Sequence, residues 1–197
     1  MELDFTHDFG HDIIPRLIAE AHVQAYPFRD PDSGAHTYWR DVGTIDSFWT
    51  ANLELLSEHP ELDLYHQDWP IFKHQPQPPP ARFLTNRDDY TASLSELMMP
   101  GACVIDGQHL RRVLLFSNVR VGVNSVVEAS VMLPDSEIRP RCVNNNAVLD
   151  RGCKVPTNMQ IGVHLEDVRQ YFHVSDGGVV MVTPQMLEQI HGSTNND

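Results

Sequence analysis

From about residue 103 to residue 162 the chain repeats itself roughly every six positions. Val121, Val127 and Leu133 are evenly spaced; so are Val143, Leu149, Val155 and Ile161, with a slip of register around residues 134–142. Such a period fits neither the turn of an α-helix nor the alternation of a plain strand. It is the period of a parallel β-helix built from hexapeptides, each giving one short strand and one corner. Val121, Ser125, Ala147 and Cys153 are small or β-branched and are expected to point inward at the corners. Asn124, Asp135, Asn144, Asn145, Asn146, Gly152 and Pro156 are the expected turn-formers. An antiparallel sheet with a coincidental period is the competing arrangement.

Charge narrows the partners. The 197 residues carry 14 Lys and Arg against 27 Asp and Glu, a formal net charge of -13, and the cations form no cluster. Bulk charge therefore excludes nucleic acid and anionic membrane as partners. Cys103, Cys142 and Cys153 are odd in number and all lie in the repeat, which points to buried reduced thiols. No C-x-x-C pair offers a structural zinc site. With no apolar run of membrane-spanning length and no signal-peptide pattern, the expectation is a soluble cytoplasmic protein.

Ahead of the repeat the spacing turns helical. Asp12 is a candidate cap for a helix over 12–21, with Ile13, Ile14, Leu17 and Ile18 on its apolar side and Pro15 in its first turn. Residues 22–28 read as a strand and 29–37 as a polar loop. Thr44 is a plausible cap for a second helix, whose Ile45, Phe48, Trp49, Leu53 and Leu56 recur at helical spacing as core residues before His59-Pro60 ends it. The Pro-rich run at 75–80 reads as a stiff linker, residues 81–86 as a strand and 87–95 as a loop. After the repeat come a helical turn within 166–173, a strand at 179–182, a helix from Pro184 and a frayed tail from Gly192.

No phosphate-binding Gly-rich loop, nucleophile elbow or Cys/His metal cluster occurs, and the 11 His are scattered. His7 and His11 flank Asp8 and offer at most a small polar site. Five motifs taken together say more. His7 to Pro15 resembles the "HDFGKDIIP" stretch of bacterial glucose-1-phosphate adenylyltransferases, also called ADP-glucose pyrophosphorylases. Tyr38-Trp39-Arg40-Asp41-Val42-Gly43-Thr44 looks like that family's "YWRDVGT", and Trp69-Pro70-Ile71 like its "WPI". Val148 to Pro156 is similar to its "VIDRxCxVPxG" coil, and Val179 to Thr183 to its C-terminal strand. The motifs come in the family's order and cover essentially the whole chain.

The resemblance implies an α/β remnant of a Rossmann-like nucleotidyltransferase domain followed by a left-handed parallel β-helix. Residues 1–75 would be the end of the first domain, and 76–197 the β-helix with a short strand and helix after it. It implies the formation of ADP-glucose and pyrophosphate from ATP and glucose 1-phosphate in glycogen biosynthesis, a phosphorylated allosteric effector, and a homo-oligomer. It implies a Mg²⁺ ion held in part by Asp41, with Trp39 and Arg40 at the substrate side. Lys73, Arg82, Lys154 and Arg169 are the cations available for effector phosphates, and Arg169 begins a segment similar to the family's "RRFYRS". The family's "GGxGxRL" loop, its first metal-binding Asp and its "EKP" lysine have no counterpart, so the resemblance implies a C-terminal fragment, a split-gene product or a truncated paralogue that is inactive alone. A non-catalytic regulatory or assembly module of the same descent fits as well. A hexapeptide acyltransferase would share the β-helix, but His109 and His164 lie only near its ends and no long loop interrupts it.

Overall fold

The repeat closes into a parallel β-helix of the left-handed hexapeptide class, and its unit is a coil of 17 residues rather than three full hexapeptides. Val126 pairs with Val143, and Glu137 with Lys154, an offset of 17 residues. The computed structural model describes residues 8–31, 33–67, 70–71, 77–84, 86–87 and 90–194. His7, Asp68, Trp69, Lys73 and part of the expected linker lie outside them.

Corners mark the coil. Positive φ angles occur at Asn118, Asn124, Ala129, Asp135, Arg141, Asn146, Gly152 and Asn158, so sides of six, five and six residues alternate. Asn, Asp and Gly enter this left-handed region at low cost, which is why Asn124, Asp135, Asn146 and Gly152 act as the expected turn-formers. One face is a five-stranded parallel sheet in the order Arg82–Phe83, Val104–Ile105, Arg120–Val121, Glu137–Ile138, Lys154–Val155. The other two faces share long strands, Ser93–Met98, His109–Leu115 and Val126–Met132, bent at Glu96, Arg112 and Ala129. In the next coil the bend at Asn146 separates Val143–Asn145 from Ala147–Leu149.

Each side sends two residues inward. The one just after the corner is mostly small: Val119, Ser125, Ser130, Ser136, Cys142, Ala147, Cys153. Two residues later comes a larger one: Val121, Val127, Met132, Ile138, Asn144, Leu149, Val155. Fully burying one such aliphatic side chain stabilises the fold by about 1.5–3 kcal/mol. This corrects the sequence register. Leu133 and Val143 are only half-buried, and Met132 and Asn144 occupy the inward places. The five-residue side shifts the phase by one in every coil, whereas the sequence spacing had suggested a single slip. Val121 lies mid-side rather than at a corner. Asn144 is buried in line with Val127 and Ile161 rather than turning the chain, and its Nδ2 and Oδ1 have no hydrogen-bond partner.

The end of the β-helix is covered. Helix α3 (Leu165–Val168) and the antiparallel pair His173–Val174 with Val180–Val182 follow Ile161, and Val180–Val182 returns to lie parallel to Ala147–Leu149. Helix α4 (Pro184–Thr194) buries Leu187 against the core cluster. Such a cover removes an edge that would otherwise template further strands. The helix runs through Thr194, past the point where fraying was expected. Residues 87–95, expected as a loop, contain the short pair Asn86–Arg87 and Tyr90–Thr91 and the start of Ser93–Met98.

Packing divides the chain into Met1–Trp39 and Arg40–Asp197. The Pro-rich run precedes the first coil, but the packing boundary falls earlier, because helix α2 (Ile45–Glu54) lies on the β-helix. Its Leu53, Ile45, Phe48 and Trp49 pack against Leu114, Val131, Val148 and Val179. Thr44 caps it as expected, with Ser47 completing a capping box. In the first unit, Phe9–Ile13 forms a π-helical turn that leads into α1 (Ile14–Glu20). The cap is Asp8, which accepts from the His11 N–H at 2.6 Å, and not Asp12. Residues 22–28 form no strand; a single bridge between Arg29 and His36 closes the loop beyond them. A strand needs a ladder partner, and residues 22–28 have none within this unit.

Candidate functional site

The stretch from Arg40 to Gly43 is built onto the N-terminus of α2. Asp41 is exposed, and its Oδ1 accepts from the Gly43 N–H at 2.9 Å. A Cβ on Gly43 would sit 3.1 Å from that oxygen, so a glycine there lets the carboxylate fold close to the backbone. Thr44 follows as the cap of α2. Arg40 reaches the opposite end of the helix, with Nη2 at 3.1 Å from Glu54 and 3.0 Å from Glu61. Arg40 is thus tied to carboxylates and braces the loop. Trp39, 72% exposed, ends the first unit. Beside the loop, Val42, Gly43, Thr44, Ile45 and Phe48 face Leu133, Val148 and Met181 across a mostly apolar cleft of about 310 Å³.

Magnesium binds through one or two carboxylates, keeping waters and phosphate oxygens for its other positions. Asp41 fits as one such ligand, since its Oδ2 is left open. Among the described residues no group of three or more His, Cys, Asp or Glu could hold a metal by itself.

The expected phosphate-binding cations do not converge. Arg82 and Lys154 stand at opposite edges of the five-stranded face, four strand spacings or about 19 Å apart. Between them come Val104, Arg120 and Glu137 in register. Arg169 is exposed at the C-cap of α3. Lys73 lies outside the described residues. Lys154 instead shares a cleft of about 370 Å³ with Arg139, Gly152, Pro184, Leu187 and Glu188. Arg139 was missed in the sequence because its place depends on the coil of 17, which sets Glu137 beside Lys154 and hence Arg139 beside Pro156.

The remaining nucleophile candidates are structural. All three thiols are buried in the β-helix, and burial pushes each upward; for Cys153, to about 12, with Asp150 adding to the effect. Each donates to a backbone carbonyl, Cys142 to Pro156 at 3.0 Å and Cys153 to Val182 at 3.3 Å. His109 is held by Glu128 on the next coil at 2.9 Å, on the outer surface. His11 pairs with Asp12 at 2.8 Å, while His7 lies outside the described residues.

Two family models match the chain: nucleotidyl transferase over residues 1–58, and GlmU-like, C-terminal hexapeptide over residues 79–182. Among curated proteins, the glucose-1-phosphate adenylyltransferase of Methylococcus capsulatus is 51% identical over 93% of this chain and 43% of its own length. Glucose-1-phosphate adenylyltransferase 2 of Alkalilimnicola ehrlichii is 50% identical over 94% of the chain and 44% of its own length. That of Nitrosococcus oceani is 47% identical over 93% and 44%. The chain therefore spans under half the length of the curated relatives it matches.

Proposed function

The chain belongs to the glucose-1-phosphate adenylyltransferase family, and on that premise we propose that it supplies the β-helix lobe and the Asp41 loop of an enzyme that makes ADP-glucose and pyrophosphate from ATP and glucose 1-phosphate for glycogen synthesis. The observation that carries this reading is the reach of the similarity. Identity of 51% over 93% of the chain runs through the Asp41 loop and the β-helix alike.

Nucleotidyl transfer sets a sugar phosphate in line with the α-phosphate of a nucleotide, so catalysis consists mainly of positioning and charge neutralisation. Bound magnesium would supply much of that neutralisation. Asp41 would contribute one hard oxygen to it, Arg40 braces the loop through Glu54 and Glu61, and Trp39 flanks the substrate side. These 197 residues contain no Gly-rich phosphate cradle, so the chain on its own has nothing to hold a triphosphate. The cleft of Arg139 and Lys154 is the best placed of the cations for an effector phosphate, with Arg82, Arg169 and Lys73 as further candidates. Assembly into a homo-oligomer and work in the cytoplasm complete the reading; among the described residues no helix is long and apolar enough to cross a membrane.

The test is pyrophosphate release from ATP and glucose 1-phosphate by the purified chain, with and without a nucleotidyltransferase half from a relative. We expect no turnover from the chain alone, turnover with the half, and loss of most of it in Asp41→Ala. Turnover that does not respond to Asp41→Ala would make the chain an assembly or regulatory module instead. Robust turnover by the chain alone would refute the missing-cradle reasoning.

A further inference from the structure

We propose that Asp46 is a positioning residue, which clasps the first turn of α2 to a turn of the β-helix and so sets the place of the Asp41 loop. Asp46 and Ser175 are 129 residues apart in sequence, yet Ser175 Oγ donates to Asp46 Oδ1 at 2.6 Å. The Gly177 N–H donates to the other carboxylate oxygen at 3.2 Å. Ser175 is 8% exposed, and its Oγ in turn accepts from the Val179 N–H at 2.9 Å, just before Val180–Val182 joins the β-helix. Two further points fix the helix. The Trp49 indole donates to the Ala129 carbonyl at 2.7 Å, at a β-helix corner, and Leu53 is buried among Leu114, Val131 and Val148.

The three attachments differ in what they control. Leu53 and Trp49 are apolar and central, and they hold the helix to the surface without fixing its N-terminal end. Asp46 lies one turn from Thr44 and the loop, and its bonds are directional and charge-assisted. A shift of the turn at residues 175–178 therefore moves the end of α2 that carries Asp41. Gly177 fits this geometry, because a Cβ there would come within 2.5 Å of Asp46 Oδ1. The proposal rests on the reading of Asp41 as a metal carboxylate.

Two arms test it. Hydrogen exchange on the chain alone reads the clasp: Asp46→Ala should raise exchange at residues 44–48 about tenfold and leave Val126–Met132 unchanged. Adding Ser175→Ala to Asp46→Ala should change little, because both remove the same bond. Gly177→Ala, which displaces the carboxylate while keeping its charge, should act in the same direction if Asp46→Ala fails to fold. The second arm uses the chain combined with a nucleotidyltransferase half: the half-saturating magnesium concentration should rise about tenfold in Asp46→Ala with the KM for glucose 1-phosphate unchanged. Unchanged exchange would overturn the clasp. Raised exchange with unchanged magnesium dependence would overturn the positioning role. An Asp41→Ala enzyme with normal magnesium dependence would overturn the reading of Asp41 itself, a failure the exchange arm keeps separate.

Discussion

The β-helix and the first unit treat the same kind of residue in opposite ways. Leu149, Val155 and Ile161 are fully buried, each stacked on its equivalent one coil away. In α1, Ile14, Leu17 and Ile18 have an equally good helical spacing and remain 42%, 43% and 63% exposed. The difference is where the partner comes from. A coil meets the next coil of its own sequence, so pattern and partner arrive together. An amphipathic helix specifies a face but not what covers it. Apolar spacing alone is thus a statement about faces, and burial must be read from what those faces meet.

The largest expected effect tests that contrast directly. Leu149→Ala should cost about 2–5 kcal/mol through lost burial and a residual cavity, while Leu17→Ala should stay within about 0.5 kcal/mol. Urea unfolding of both variants checks it, and equal losses would erase the distinction. A smaller effect of opposite sign is expected inside the β-helix. Asn144→Val should raise stability by about 1–3 kcal/mol, since it removes a buried amide with no partner from a column otherwise made of Leu110, Val127 and Ile161. A loss instead would show that the interior is not ruled by apolar stacking at that coil. The smallest concerns the exposed unit. The hydrogen bond from Asp12, followed by its charge, raises the pKa of His11. The favoured form is the protonated one, so the contact is fully present below the ordinary histidine range and fades as pH rises through the raised value. An NMR titration of His11 should move downward in Asp12→Asn, with no change in unfolding midpoint.

Much of this was legible in the order of residues. The recurrence of Val121, Val127, Leu149, Val155 and Ile161 announces a β-helix, Thr44 announces α2, and Thr183-Pro184 announces α4. The five-residue sides were not legible, because Leu133 and Val143 are apolar enough to continue a false six-residue phase past the corner. Residues 22–28 have strand-like composition, but composition does not supply a neighbour. The pairing of Asp46 with Ser175 leaves no local trace at either residue, and Arg139 becomes visible as a neighbour of Lys154 only once the coil length is known.

That coil length also governs how such a molecule can grow or shrink. Removing or duplicating 17 residues returns every small inward residue, every larger one and every left-handed corner to its place in the stack. Removing 18, three nominal hexapeptides, would carry all later residues one step out of phase and turn inward side chains to the outside. The heritable module of this lobe is the whole coil, and a lineage that lengthened it by copying hexapeptides would have had to repair each copy.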